Sequence, residues 1–194
     1  MAKKSTRNTR GRIVSAAWKL FYEQGYEDTT VEEIIELSGT SKGSFYHYFD
    51  GKDALLSTLS SLFDEKYEEL TGLLTPEMTA MEQLLFLNRE LFHMIEDSIS
   101  LDLLARLYST QLTTNGEKHL LDHNRIYYKL LRKIIAKGQD DGQLSYRSNV
   151  NEMVKLYALC ERALLYDWCL CAGEYSLTEY SAKVLPGFLS SFLP

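Results

Sequence analysis

Two helix starts with a glycine between them constrain this chain more than any other feature. Thr30-Val31-Glu32-Glu33 has the Thr-x-x-Glu form of a capping box, in which hydroxyl and carboxylate satisfy the free N–H groups of a helix start. Ser41 is a second good N-cap, and Ser38-Gly39 lies between, where glycine supplies the left-handed conformation of a tight turn. The helix so bounded is short and carries Ile34, Ile35 and Leu37. A third short helix after Ser41 spaces Phe45 and Phe49 four apart, which holds one face on a core. Asp50 can cap a fourth helix beginning near Gly51.

A first amphipathic helix precedes this pair. From Arg10 to Gln24 the apolar positions Ile13, Ala16, Ala17, Leu20 and Phe21 recur at helical spacing, and Gly25 supplies the stop. Helix, glycine-containing turn and short helix form the helix-turn-helix arrangement, whose second member is free to enter a major groove. Shape alone does not establish DNA binding, because such turns are also generic packing solutions.

The rest of the chain keeps the helical period, with no strand-like alternation. The expected segments are Gly51 to Leu74, Glu77 to Ile99, Leu101 to Leu112, Glu117 to Lys137, Asn149 to Ala172 and Leu177 to Phe192. Breaks fall at Thr75-Pro76, at the loop Thr113-Thr114-Asn115-Gly116 and at Gly138 to Gly142, and Pro186 should bend or divide the last helix. The expectation is an all-α chain of about nine helices. A helix-turn-helix domain over residues 1–52 precedes a helical ligand-binding and dimerisation domain over 53–194.

Charge is distributed unevenly. The net charge of −6 argues against a protein that coats nucleic acid nonspecifically. Yet residues 1–52 hold eight Lys/Arg against seven Asp/Glu, whereas 53–194 hold thirteen against twenty. All charges before Ile13 are positive, namely Lys3, Lys4, Arg7, Arg10 and Arg12, which suggests a localised, salt-sensitive phosphate contact. No apolar stretch follows this arm as a secretory signal requires, and no apolar run is long enough for a bilayer, so a cytoplasmic protein is expected. Cys160, Cys169 and Cys171 are odd in number and clustered, which reads as reduced, packed thiols; a redox switch is the alternative.

The run Ser41-Lys42-Gly43-Ser44-Phe45-Tyr46-His47-Tyr48-Phe49, followed by Lys52 and Leu55-Leu56, resembles the recognition-helix signature of the tetracycline-repressor family. Gly25-Tyr26, Thr29-Thr30-Val31 and Ile34 through Gly39 also stand where that family's pattern places them, so the motif covers about residues 10 to 56. The remainder is similar to the family only in length and helical character. The resemblance implies a bacterial homodimeric repressor that grips an operator and is released by a small molecule. It implies that Tyr46 and Tyr48 donate hydroxyls to phosphates, that Lys52 adds a charge there, and that Thr29 and Thr30 meet the DNA backbone. The chemistry of the motif supports this independently. Ser41, Lys42, Gly43 and Ser44 occupy a first helical turn, Gly43 allows close approach, Lys42 or Ser44 can reach base edges, and His47 lies on the same face as Ser44. Thr30 also has a plain structural role as N-cap, and Glu32, Glu33 and Glu36 should turn their helix away from DNA.

Aromatic residues make up 12% of the chain. Stripes of them are ordinarily core, but a ligand cavity between bundle helices would be lined from the same set. Phe63, Phe92, Tyr108, Tyr127, Tyr157 and Glu161 are the candidates, and the acidic body favours a cationic or neutral ligand. The resemblance implies that the last two helices pack against their copies, burying Leu156, Leu164, Leu185 and Phe188. His119 and His123 have the spacing of some zinc sites if helical, but no third ligand is evident, and a solvated face is the simpler reading. No metal and no cofactor is expected. No nucleophile with its base, carboxylate pair or glycine-rich phosphate loop has diagnostic spacing, so an enzyme is not expected. A helical interaction module is the remaining alternative, separated from the repressor by whether the chain dimerises.

Overall fold

Gly39 adopts φ 59°, ψ 37°, a left-handed conformation in which its N–H reaches back to the carbonyls of Glu36 and Ile35 and closes α2 (Val31–Ser38). The capping box at the other end of α2 is complete. Thr30 accepts from the Glu33 N–H at 3.2 Å while the Glu33 carboxylate accepts from the Thr30 N–H at 2.7 Å. The Ser41 hydroxyl caps α3 (Lys42–Tyr48) by accepting the Ser44 N–H at 3.1 Å. Both pack on α1 (Ala2–Gln24) through a core that includes Ile13, Ala17, Phe21, Ile34, Phe45 and Phe49. The computed structural model describes residues 2–113 and 118–194, with side chains from Thr9 onward. Lys3, Lys4 and Arg7 of the positive arm therefore fall outside the described side chains, and residues 114–116 of the expected loop, with 117 where the next helix is expected to start, fall outside the described backbone.

The other helices are α4 (Lys52–Leu56), α5 (Leu59–Thr71), α6 (Ala80–Ser98), α7 (Leu101–Thr113), α8 (Ile126–Asp140), α9 (Val150–Leu170) and α10 (Leu177–Leu189). Short 3-10 turns cover His119–Leu121 and Ser190–Phe192, and no strand occurs among the described residues. The segment expected as one helix from Gly51 to Leu74 breaks after Leu56. There the Ser57 and Thr58 hydroxyls bond back to the carbonyls of Ala54 and Leu55 at 2.7 and 2.6 Å, competing with the helical ladder. α6 starts at Ala80 rather than Glu77 because Thr79 and Glu82 form a second capping box. The helix expected from Glu117 does not begin until Ile126. The Asp122 side chain accepts from the Asn124 N–H at 2.8 Å and its carbonyl from the Arg125 N–H at 3.2 Å, which makes a turn there. His119 and His123 accordingly do not share a helical face. Pro186 does not divide α10, which runs through it.

By packing, the chain forms two compact units, residues 1–61 with 102–119, and residues 62–101 with 120–194. The expected boundary after Lys52 would cut across the first. The Trp18 indole N–H donates to the Thr58 hydroxyl at 2.9 Å, Leu55 and Leu56 are buried, and Arg106 on α7 pairs with Glu27 at 2.5 Å. In the second unit α6 packs on α8 and α10, and α9 packs on both of these. The Glu96 carboxylate at the end of α6 accepts the Leu177 and Thr178 N–H groups at 2.7 and 2.9 Å, so a side chain from another helix caps α10. Arg125 grips Asp64 with two guanidinium nitrogens at 3.1 and 2.9 Å, which ties α5 to the start of α8.

Gly138 is where α8 approaches α6 most tightly. A Cβ there would lie 2.5 Å from the Ala80 Cβ and 2.8 Å from Leu144 Cδ1. Gly138→Ala should therefore cost about 1–3 kcal/mol of stability by overpacking, despite the better helix propensity of alanine. Urea unfolding of the two proteins measures it, and an unchanged or raised midpoint would show that α6 yields at no cost.

Candidate functional site

α3 divides cleanly into a buried and an exposed side. Phe45 is buried, whereas Lys42, Gly43, Tyr46 and His47 are exposed and Ser44 and Tyr48 half-buried. Lys42 stands 3.4 Å from Glu32 of α2 with both side chains about 70% exposed, at 69% and 71%. An ion pair this exposed contributes about 0–1 kcal/mol, so Lys42 can exchange Glu32 for a phosphate or base at small cost. The Ser41 and Ser44 hydroxyls lie 2.9 Å apart, and the His47 and Tyr48 rings meet edge to face at 4.8 Å. Gly43 has an ordinary backbone conformation, and a Cβ on it would meet only the Ser41 Oγ, at 4.0 Å. Its use is to leave open space above the helix. Arg12 donates to the Gly39 carbonyl at 3.4 Å and Arg10 lies 5.5 Å over the Phe49 ring, so two described cations of the arm flank the turn and α3.

Two residues expected at the DNA are used elsewhere. The Lys52 ammonium donates to the carbonyls of Tyr26, Glu27 and Thr29 at 2.6, 3.2 and 2.9 Å, which consumes its three donors. It also sits 4.3 Å over the Tyr26 ring, on which the Arg106 guanidinium lies at 4.9 Å. The Tyr26 hydroxyl donates to Asp53, and burial first, then that carboxylate, raises its pKa. Lys52 is thus a staple between α4 and the turn before α2, rather than a free charge for phosphate. Thr29 is buried, with its hydroxyl donating to the Gly25 carbonyl at 2.7 Å. Thr30 is exposed but serves as the cap of α2.

In the second unit three of the expected ligand residues converge. Glu161 on α9 is buried and accepts from the Tyr127 hydroxyl at 2.6 Å and the Asn88 amide at 2.8 Å. Asn88 in turn accepts from the buried Ser181 hydroxyl of α10. Burial pushes the Glu161 carboxyl upward from its ordinary range, opposed by the hydrogen bonds it accepts. Tyr157 donates to the Leu84 carbonyl at 2.8 Å, and Tyr127 packs on Tyr67 with ring centroids 5.0 Å apart. Phe63 and Phe92 are buried in the same unit, but Tyr108 lies on α7 with the first. A groove of about 570 Å³ runs between the start of α6 and α10, and none of the expected ligand residues lines it. Sequence reasoning missed its polar floor, Asn88 and Ser181; a polar residue on the apolar stripe of each helix was the available signal.

The expected interface residues differ in burial: Leu164 and Leu185 are buried, while Leu156 and Phe188 are half-buried. The exposed apolar stripe of α9 is Leu159, Ala163, Tyr166 and Leu170, and Tyr180 stands exposed on α10. Cys160 is buried and Cys169 half-buried, and burial pushes both thiols up to about 11. No group of three or more metal-binding side chains occurs among the described residues, and no helix there is long and apolar enough to cross a membrane.

An exposed recognition helix held on a three-helix core defines a helix-turn-helix protein, and residues 13–59 match the family described as bacterial regulatory proteins, tetR family. Those residues are about a quarter of the chain, and the matching stretch spans about a third or less of the first curated relatives. A regulator from Lactococcus lactis is 39% identical over 56 residues, a stretch spanning 28% of this chain and 29% of the relative. HbdR from Aromatoleum sp. strain CIB is 28% identical over 192 residues, covering 95% of this chain and 80% of its own. Among solved structures, the TetR-family repressor FadR of Thermus thermophilus, in complex with lauroyl-CoA, is 26% identical with a TM-score of 0.75, covering 95% of each chain.

Two outcomes follow from this geometry. Lys52→Met should strip three carbonyls of a charged donor and lower local stability by about 2–3 kcal/mol, seen as faster hydrogen exchange of the amides in α2 and α4. Unchanged exchange would return Lys52 to the role of a free phosphate contact. Because the fold raises the Glu161 pKa, the protonated form is the favoured one; the group stabilises fully below the ordinary carboxylate value of about 4.3 and loses this as pH rises through the folded value. Glu161→Gln should then gain stability relative to wild type as pH rises above the ordinary carboxylate value of about 4.3, and a pH-independent offset would place the ionised form in the fold.

Proposed function

We propose that the chain works as a homodimer that holds a palindromic or near-palindromic operator through Thr30, Ser41, Lys42, Gly43, Ser44, Tyr46, His47 and Tyr48, and leaves it when a small molecule binds the second unit. The observation that carries the reading is the outward face of α3, where reader-type side chains stand exposed over a buried Phe45. The apolar stripe Leu159, Ala163, Tyr166 and Leu170, with Tyr180, supports a four-helix interface between copies. Repression is the reading favoured by the Thermus FadR likeness, and lauroyl-CoA is for the same reason the first effector to try. The aromatic core around Glu161 supports a cavity opened by the effector. A ligand that fits one spacing of the two heads better than the other shifts their populations by no more than that difference, and DNA must oppose the ligand equally.

Selection of bound fragments from a random DNA pool at about physiological salt, where nonspecific binding is weak, should enrich an inverted repeat. No enrichment from folded protein would favour the helical interaction module instead. On the enriched operator, Tyr46→Phe should weaken all sequence variants alike, whereas Lys42→Ala and His47→Ala should also blur base preference at about 1–3 kcal/mol per position. Leu159→Arg combined with Tyr166→Arg should sediment as a folded monomer; a persistent dimer would locate the interface elsewhere.

A further inference from the structure

We propose that the groove between α6 and α10 is a second ligand site, separate from the aromatic core, and that it takes an amphipathic amine. Its volume of about 570 Å³ falls within the usual range for small-molecule sites, roughly 300–1,000 Å³. Met78, Leu85, Phe86, Ala182 and Pro186 form apolar walls that suit a hydrocarbon or aromatic body.

The charged groups facing this space are mostly acidic. Ser181, fully buried beneath the groove, spends its proton on Asn88. At the mouth stand Glu77 and Glu82, whose carboxyls are held below the ordinary range by hydrogen bonds from Thr75 and Thr79 and so remain charged. The lining's single cation, Arg89, is neutralised by Glu90 at 2.8 Å and lies on the Phe86 ring. Two carboxylates with a neutralised guanidinium, beside apolar walls, complement a protonated amine and repel a carboxylate. The floor also connects the groove to the interior, since Ser181 bonds Asn88 and Asn88 bonds Glu161. An amine in the groove therefore lies against α6 and α10, two of the helices that this hydrogen-bond chain joins.

Calorimetric titration of the full chain, without DNA, with 4-phenylbutylamine, 4-phenylbutanol and 4-phenylbutyrate tests the inference. These three share one apolar body and differ in the head. The amine should bind about tenfold or more tightly than the alcohol, and the carboxylate should bind least. Ala182→Trp, at an exposed position, should fill the groove and remove binding of all three. Glu77→Gln, in an exposed loop, should weaken the amine alone. Equal binding of the three compounds, no binding of the amine to folded protein, or undiminished binding to Ala182→Trp would each overturn the proposal. The titration contains no operator, so its failure leaves the DNA-reading proposal intact, and the reverse holds as well.

Discussion

The Lys52 ammonium, seated on the carbonyls of Tyr26, Glu27 and Thr29, is the contact on which the placement of the first unit's helices depends. Those carbonyls belong to the turn that closes α1 and delivers the chain to Thr30, the cap of α2. A cation there gathers backbone oxygens that would otherwise need water, and it does so from the first residue of α4. Tyr26 beneath it lies between Lys52 and Arg106, and Arg106 reaches Glu27 and Asp102. The turn, α4 and α7 are thereby held as one piece. The direction in which α3 points is inherited from that piece through the short link Gly39–Ser41.

The second unit is organised around a different compromise. An apolar bundle would be simplest, yet Glu161, Asn88, Tyr127 and Ser181 form a buried polar chain across four helices. Burying a carboxylate costs stability, and the hydrogen bonds it accepts offset that cost only while each partner keeps its position. Removing one partner would leave the others unsatisfied, so the chain fixes the register of α6, α8, α9 and α10 against one another more strictly than aliphatic packing can. It also makes the interior responsive. A ligand that offers or withdraws a hydrogen bond at either end changes a free energy shared by all four helices.

Much of the first unit was legible in the sequence because its signals are local. A Thr-x-x-Glu box, a glycine and a serine cap act within a turn or two of backbone, and the observed α2, α3 and their caps follow from them. The same local rules set other boundaries, where a long helical period masks them. Thr79-x-x-Glu82 was a capping box of the same kind, and Asp122 was a turn residue lying inside an apparently helical stretch. Leu164 and Leu185 have the same chemistry and similar spacing to Leu159 and Leu170, and only the placement of α6 and α8 decides which leucines meet solvent.

The sequence by itself determined the helical class, the helix-turn-helix and the identity of the exposed side chains on α3, since periodicity, caps and a glycine turn are properties of neighbouring residues. Tertiary structure alone decided what the long-range polar groups do. It committed Lys52 to backbone carbonyls from a turn twenty-odd residues earlier and gathered Glu161, Asn88 and Ser181 into one chain. It also opened a groove between helices whose residues are far apart in sequence. The physical reason is that a charge or hydroxyl has many acceptable partners, and the choice among them rests on which backbone and side-chain groups folding brings within about 3 Å.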